Sequence, residues 1–148
     1  MNHIREIKAS EWIDRAWPMA IEHWREVAEV TGMPVPSIDR GTLAKLEEYN
    51  LLLTLGAFHN DEIVGYSLNV IGNAFNCDTL KMCTNQGLYV RQAHRGSLAL
   101  RLIRATERGA KALGCTRLEM HTYRATGADE LFSRLGYTLW DHPYTKEL

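Results

Sequence analysis

The residues best suited to chemistry in this sequence run from Leu88 to Leu100, as Leu88-Tyr89-Val90-Arg91-Gln92-Ala93-His94-Arg95-Gly96-Ser97-Leu98-Ala99-Leu100. Leu88 to Val90 is apolar and β-prone, Arg91 to Arg95 is polar, and from Leu98 to Leu113 the pattern is helical. Gly96 allows tight backbone geometry, and Ser97 is a good N-cap. A strand that turns sharply into a helix leaves the first N–H groups of that helix without partners. With the partial positive charge of the helix start, they can hold a phosphate. Arg101 and Arg104 lie near enough to the helix start to reach an anion, while Arg108 and Lys111 continue the stripe as a solvated face. The same segment also reads as an ordinary strand–turn–helix crossover.

The elements that must position this segment follow from periodicity and from Gly and Pro punctuation. His3 to Ile7 reads as a short first strand. Ser10 caps a helix whose core-facing stripe includes Trp12, Trp17 and Trp24, and Pro18 should kink it or begin a second segment. Glu22, Glu26 and the other charges occupy the remaining faces. Thr31 to Ser37 is a loop, after which Asp39 or Thr42 starts a helix ending near Glu47 and Glu48, again a solvated face. Leu51 to His59 and Ile63 to Ile71 form a β-hairpin around Asn60-Asp61-Glu62. Gly72 to Asn76 is a loop, and Leu80 to Val90 is a long strand in which Gly87 marks a bulge or a close approach. Gly114 ends the helix that starts at Ser97. Thr116 to His121 is then a strand, Ala128 to Leu135 a short helix closed by Gly136, and Tyr137 to Tyr144 a last extended segment. The order β-α-α-β-β-β-α-β-α-β makes an α/β (α+β) fold, a mixed sheet with helices on both faces around a central β–α–β unit.

Composition removes several classes. A chain of 148 residues, 45% hydrophobic and 24% charged, fits one domain over residues 1–148 with a good-sized core. A net charge of −1 supplies no basic field for nucleic acid. No apolar run approaches membrane-spanning length, and Met1 to Glu6 lacks a signal-peptide core, so a cytoplasmic protein is expected. Cys77, Cys83 and Cys115 have no C-x-x-C spacing and the histidines form no H-x-x-x-H pair, so neither disulfides nor a metal are expected.

Four local patterns, taken in order, resemble the GCN5-related N-acetyltransferase (GNAT) superfamily over nearly the whole chain. His59-Asn60-Asp61-Glu62-Ile63-Val64-Gly65-Tyr66 looks like the family's hairpin between its second and third strands. Leu88-Tyr89-Val90 followed by His94-Arg95-Gly96 looks like its acetyl-CoA strand and pyrophosphate loop. Ala110 to Cys115 with Leu118-Glu119-Met120, and Leu131 to Tyr137 with its Leu-Gly-aromatic ending, look like the next helix exit, strand and late helix. The resemblance implies a mostly antiparallel sheet and acetyl-CoA as acyl donor. It implies that backbone N–H groups from Arg95, Gly96, Ser97, Leu98, Ala99 and Leu100 bind pyrophosphate, with Arg91 or Arg95 adding charge. It implies that Val90, beside Tyr89, bonds the pantetheine through its backbone. The Leu88 N–H would stabilise the oxyanion that develops on the thioester carbonyl.

Departures from the family pattern are equally specific. Leu98 and Leu100 stand where the loop usually has small residues, Thr84 where many members carry an acid, and Phe132 where many carry a tyrosine. Substitutes for that acid–base pair are His121, Tyr123 and Glu119, at the end of a strand that should face the cleft. Cys83 has no adjacent histidine in sequence to activate it. The implied activity is acetyl transfer to a primary amine by direct attack, on a small molecule or a protein approaching over Thr31–Ser37 and the hairpin Ile71–Asp78. The alternative is a non-catalytic acyl-CoA-binding or protein-interaction module. Neither reading involves nucleic acid or membrane, and a homodimer is compatible with both.

Overall fold

The computed structural model describes residues 1–122, 127–141 and 143–148. Among them the order is β1 (Asn2–Glu6), α1 (Ala9–Glu11), a π-helical turn (Trp12–Ala16), α2 (Trp17–Thr31), α3 (Arg40–Glu48), β2 (Leu52–His59), β3 (Glu62–Ala74), β4 (Cys77–Val90), a 3-10 turn (Gln92–His94), α4 (Ser97–Ala112), β5 (Arg117–Glu119) and α5 (Ala128–Arg134). The strands form one sheet in the order β1-β2-β3-β4-β5. The first three pairings are antiparallel, and β4–β5, joined across α4, is parallel.

Local chemistry explains most of these elements. Pro18 cannot donate to the carbonyl one turn back and crowds it, and the chain answers with the wider π turn immediately before α2. Asp39 caps α3 by accepting from the Thr42 N–H at 2.9 Å. Both Gly114 (φ 83) and Gly136 (φ 89) close their helices with a paired motif. The N–H groups of Gly114 and Cys115 return to Lys111 and Ala110, and those of Gly136 and Tyr137 return to Ser133 and Phe132.

Several expectations need correcting. Ser10 is not a cap. The helix begins at Ala9, whose N–H donates to Glu47 Oε2 at 2.6 Å, so Glu47 is a long-range cap rather than a solvated charge. The loop expected over Gly72–Asn76 shrinks to the turn Phe75-Asn76, because Ala74 still pairs with Cys77. The segment 137–144 forms no strand among its described residues. The Tyr137 N–H is spent on closing α5, and Trp140 lies under the Arg117 guanidinium at 4.4 Å.

The sheet separates two apolar clusters. On one face Trp12, Met19, Phe58, Ile63, Tyr66 and Tyr89 pack beneath α1 and α2. On the other Leu53, Ile71, Cys83, Val90, Leu98 and Leu102 pack beneath α4. Gly109 lets α4 approach closely, since a Cβ there would lie 3.0 Å from Leu53 Cδ2. Also beneath α4, Ser67, Asn69, Asn85 and Thr106 form a buried polar knot. Its internal bonds include Asn85 Nδ2 to Asn69 Oδ1 at 2.7 Å and Thr106 Oγ1 to Ser67 Oγ at 2.9 Å.

Candidate acyl-transfer site

The site begins where two strands part. β5 pairs with β4 only over Met82–Thr84, ending at Thr84 opposite Glu119, whereas β4 continues to Val90. The register of β3 and β4 shifts at Gln86 and then pairs Leu68 with Gly87, Ser67 with Leu88 and Tyr66 with Tyr89. Arg91 N–H donates to Val64 O at 2.9 Å. Hydrogen-bonded and non-bonded pairs alternate along an antiparallel ladder. Tyr89 therefore faces β3 as Arg91 does, and the N–H and C=O of Leu88 and Val90 point the other way, into the gap left by β5. The Val90 carbonyl accepts from Arg95 Nε at 2.8 Å.

Beyond the gap the chain turns into α4. Gly96 (φ 92, ψ −122) is the residue before the helix and Ser97 is its first residue, so the cap is glycine rather than the expected serine. No side chain caps this end, and the first helix bond to Gly96 comes from Leu100 N–H at 3.2 Å. The N–H groups of Ser97, Leu98 and Ala99 thus precede the helix's own ladder and carry its positive end. The bulk of Leu98 does not crowd them: its side chain is turned into the α4 core. Leu100 is partly exposed and lines an open groove with Ile4, Arg101, Arg104, Ala105 and Arg108. Arg101 is directed away from the loop to the Asn2 carbonyl at 3.2 Å.

Arg91 and Arg95 are committed to α2. Arg91 bonds Glu22 through both Nε (3.1 Å) and Nη2 (3.0 Å) and also meets Glu62 at 2.7 Å. The Glu22 bonds are the main reason its pKa is raised. Arg95 meets Glu26 at 2.6 Å. Burial works to raise the Glu26 pKa, but the bonds from Arg95 and from the Tyr89 hydroxyl (2.7 Å) outweigh it and hold it below the ordinary carboxylate value. Periodicity places Glu22 and Glu26 only on the faces left by the tryptophan stripe. The signal that could have paired them is arithmetic: two carboxylates four apart on a helix face two arginines four apart.

Across the gap, Glu119 ends β5 and accepts from His121 Nε2 at 2.7 Å. Those two proposed residues are together, whereas Tyr123 lies outside the described residues. Cys83 is buried among apolar side chains and its thiol is pushed up to about 12, chiefly by that burial, so it holds no thiolate near neutrality. Phe132 packs edge-on against Tyr137 at 5.1 Å, and the Tyr137 hydroxyl donates to Glu107 at 3.0 Å. Among the described residues no cluster of metal-ligating side chains occurs, and no helix is long and apolar enough to cross a membrane.

A ring cluster that no local signal marks lies between α2 and strands β3 and β4. His23 Nδ1 lies 3.1 Å from the Tyr66 hydroxyl, and its ring stacks on Tyr89 at 5.0 Å. His23 had been hidden on a helix read only for its tryptophan stripe.

The sequence profile of the Acetyltransferase (GNAT) family matches residues 10–137. The chain belongs to that family. No curated protein sequence matches it. Among solved structures, an aminoglycoside acetyltransferase from an uncultured soil metagenomic sample superposes with a TM-score of 0.77 at 19% identity, covering 100% of this chain and 99% of the other. A ribosomal-protein-alanine N-acetyltransferase from Brucella melitensis biovar Abortus 2308 gives 0.72 at 16% identity, over 100% and 98%. AAC(6')-Iy in complex with the bisubstrate analogue CoA-S-monomethyl-acetylneamine gives 0.66 at 19% identity, over 100% and 98%. These likenesses establish a GNAT fold.

Proposed function

We propose that this GNAT protein, acting as a single domain, transfers the acetyl group of acetyl-CoA to a primary amine by direct attack. The observation that carries this reading is the parting of β4 from β5 beside the uncapped start of α4. The fit to the donor is physical. Three N–H groups at a helix start suit a pyrophosphate, and the bare Gly96 keeps side-chain bulk away from them. The open edge of β4 suits an extended amide chain, with the Val90 N–H as its donor. When bound, acetyl-CoA supplies an activated acyl carbon. The Leu88 N–H, held by the ladder to Ser67, is then a preorganised donor for the carbonyl oxygen, an arrangement that lowers barriers by about 3 kcal/mol.

α4 and its core close one face of the sheet, so the acceptor approaches on the α2 side, over 31–37; the turn at Phe75-Asn76 stands at the far end of β4 from Leu88 and takes no part. Related folds act on aminoglycosides and on a ribosomal-protein alanine, by their names. For this chain the acceptor is a small-molecule or protein amine, in the cytoplasm, and a homodimer is compatible with this arrangement. Glu119 and His121, on the β5 side, are offered as polar groups that can orient water at the leaving sulfur.

The test is thiol release from acetyl-CoA with an aminoglycoside, glucosamine 6-phosphate, an alanine-starting peptide and a lysine peptide, alongside calorimetric titration of acetyl-CoA. Turnover with any of them supports the enzyme. Tight binding with no turnover across the panel points instead to the non-catalytic module that Phe132, lacking a hydroxyl, would suit. Absence of binding removes the reading altogether.

A further inference from the structure

We infer that Tyr66 and His23 form the proton relay that accepts the amine's proton during acyl transfer, reached through the space that Gly87 leaves by having no side chain. The inference rests on the acetyl-transfer reading above and concerns the α2 face of the same gap.

The geometry has three parts. Gly87 directly precedes Leu88, the residue whose N–H points into the gap. A Cβ built on Gly87 would lie 3.2 Å from Tyr66 Cε2 and 3.6 Å from the Tyr66 hydroxyl oxygen. The hydroxyl therefore sits against the backbone one residue from the proposed oxyanion donor, on the face not filled by α4. Any side chain at 87 would cover it. Second, the hydrogen-bond partner of that hydroxyl is His23 Nδ1 at 3.1 Å. A buried O–H left without an acceptor is costly, so Tyr66 donates to Nδ1 and the neutral imidazole carries its proton on Nε2. Third, the relay is held in place. Trp12 meets the Tyr66 ring edge-on at 5.6 Å, and Tyr89 stacks on His23 with planes 20° apart. The Tyr89 hydroxyl is in turn anchored on Glu26, which also holds Arg95 of the phosphate loop.

The chemistry balances. As the amine nitrogen bonds the acyl carbon and the C–S bond breaks, the nitrogen's proton passes to the Tyr66 oxygen. The tyrosine's own proton passes to His23 Nδ1. The half-buried imidazolium returns one proton to solvent, and the CoA thiolate takes one from solvent, giving amide and free thiol. Burial lowers the His23 pKa most, with Arg95 lowering it and Glu26 raising it, so His23 is a neutral acceptor near neutral pH. Tyr66 is pushed well up by burial and by Tyr89, so it acts as hydroxyl and never as phenolate.

The test compares wild type with Tyr66→Phe, which keeps the ring packing, and His23→Asn, on whichever amine of the panel turns over fastest. Expected are losses of about 100-fold or more in kcat, with acetyl-CoA affinity by calorimetry within a factor of two or so. Wild-type kcat/KM should show an acidic limb with its midpoint below 6.5, the ordinary histidine value, and the limb should vanish in His23→Asn. Wild-type kcat in both variants, or an acidic limb surviving in His23→Asn, overturns the relay while leaving the transferase reading intact. NMR reads the Tyr66–His23 bond separately from turnover. The His23 ring signals should differ between wild type and Tyr66→Phe, because Nδ1 loses its hydrogen-bond donor, and signals that stay fixed overturn the proposal.

Discussion

Replacing Gly96 by alanine tests the phosphate loop through the backbone alone. Its φ of 92 and ψ of −122 lie in a region that residues with a Cβ rarely adopt. Holding a non-glycine there costs about 1–3 kcal/mol. A Cβ on Gly96 meets nothing within 4 Å, so no clash adds to that figure. The strain has two outlets. If alanine keeps the native geometry, the unfolding free energy falls by the full amount and acetyl-CoA binds as before. If the backbone relaxes, the peptide carrying the Ser97 N–H rotates away from the ligand and Kd rises by about 5- to 150-fold. Chemical denaturation and calorimetry on one preparation capture both, and their sum should fall within about 1–3 kcal/mol. An alanine variant unchanged in both would refute the backbone argument. Gly96→Asp adds a charge to the same strain. Its affinity loss beyond alanine's should shrink with added salt, because exposed charges are screened over about 10 Å at 0.1 M. Equal affinities for the two variants at low salt would mean that no anion rests on the loop.

Other expectations are more local. Leu102→Ala, in the fully buried row of α4, should cost about 2–5 kcal/mol in denaturant unfolding; a smaller loss would mean that α4 packs less tightly than described. Iodoacetamide followed by mass mapping should modify Cys77 first. It is exposed, and its Thr79 contacts lower its pKa, whereas burial has taken Cys83 up to about 12. Early labelling of Cys83 would contradict its burial. Glu26 has a folded pKa below its ordinary 4.5, so its bonds to Arg95 and Tyr89 stabilise the fold above that pH and are lost as pH falls through the lowered value. The difference in Tm between wild type and Glu26→Gln should therefore be small near neutrality, since the pair is 42% exposed on each side, and should close on acidification. A gap that widens in acid would reverse the sign.

The elements were legible wherever one local signal decided them. The helical stripe after Ser97, Asp39 ahead of Thr42, and Asn60-Asp61 between two apolar runs each left little alternative. The gap was legible only through family resemblance, because the end of β5 at Glu119 depends on pairing with a distant strand and not on its own residues. Leu98 breaks the family's small-residue pattern in the loop, and only the orientation of α4 shows that its side chain leaves toward the core. Glu22, Glu26 and Glu47 looked like surface charge because their partners Arg91, Arg95 and Ala9 N–H are brought near by tertiary contact. His23 was invisible for the same reason: its neighbours Tyr66 and Tyr89 are remote in sequence.

The helices α3 and α4 are unequally anchored. α4 buries Leu98, Leu102, Ile103, Thr106 and Ala110, whereas α3 has no buried residue and only Ile38 and Leu43 in its region rest against the cluster below. Amide hydrogen exchange should therefore release α3 long before α4. Substitutions over 32–48 then draw little on global stability, while those along α4 draw heavily on it. A protein built in this way can be retailored for new acceptors along its loosely tied 32–48 segment and still inherit the donor-binding side whole.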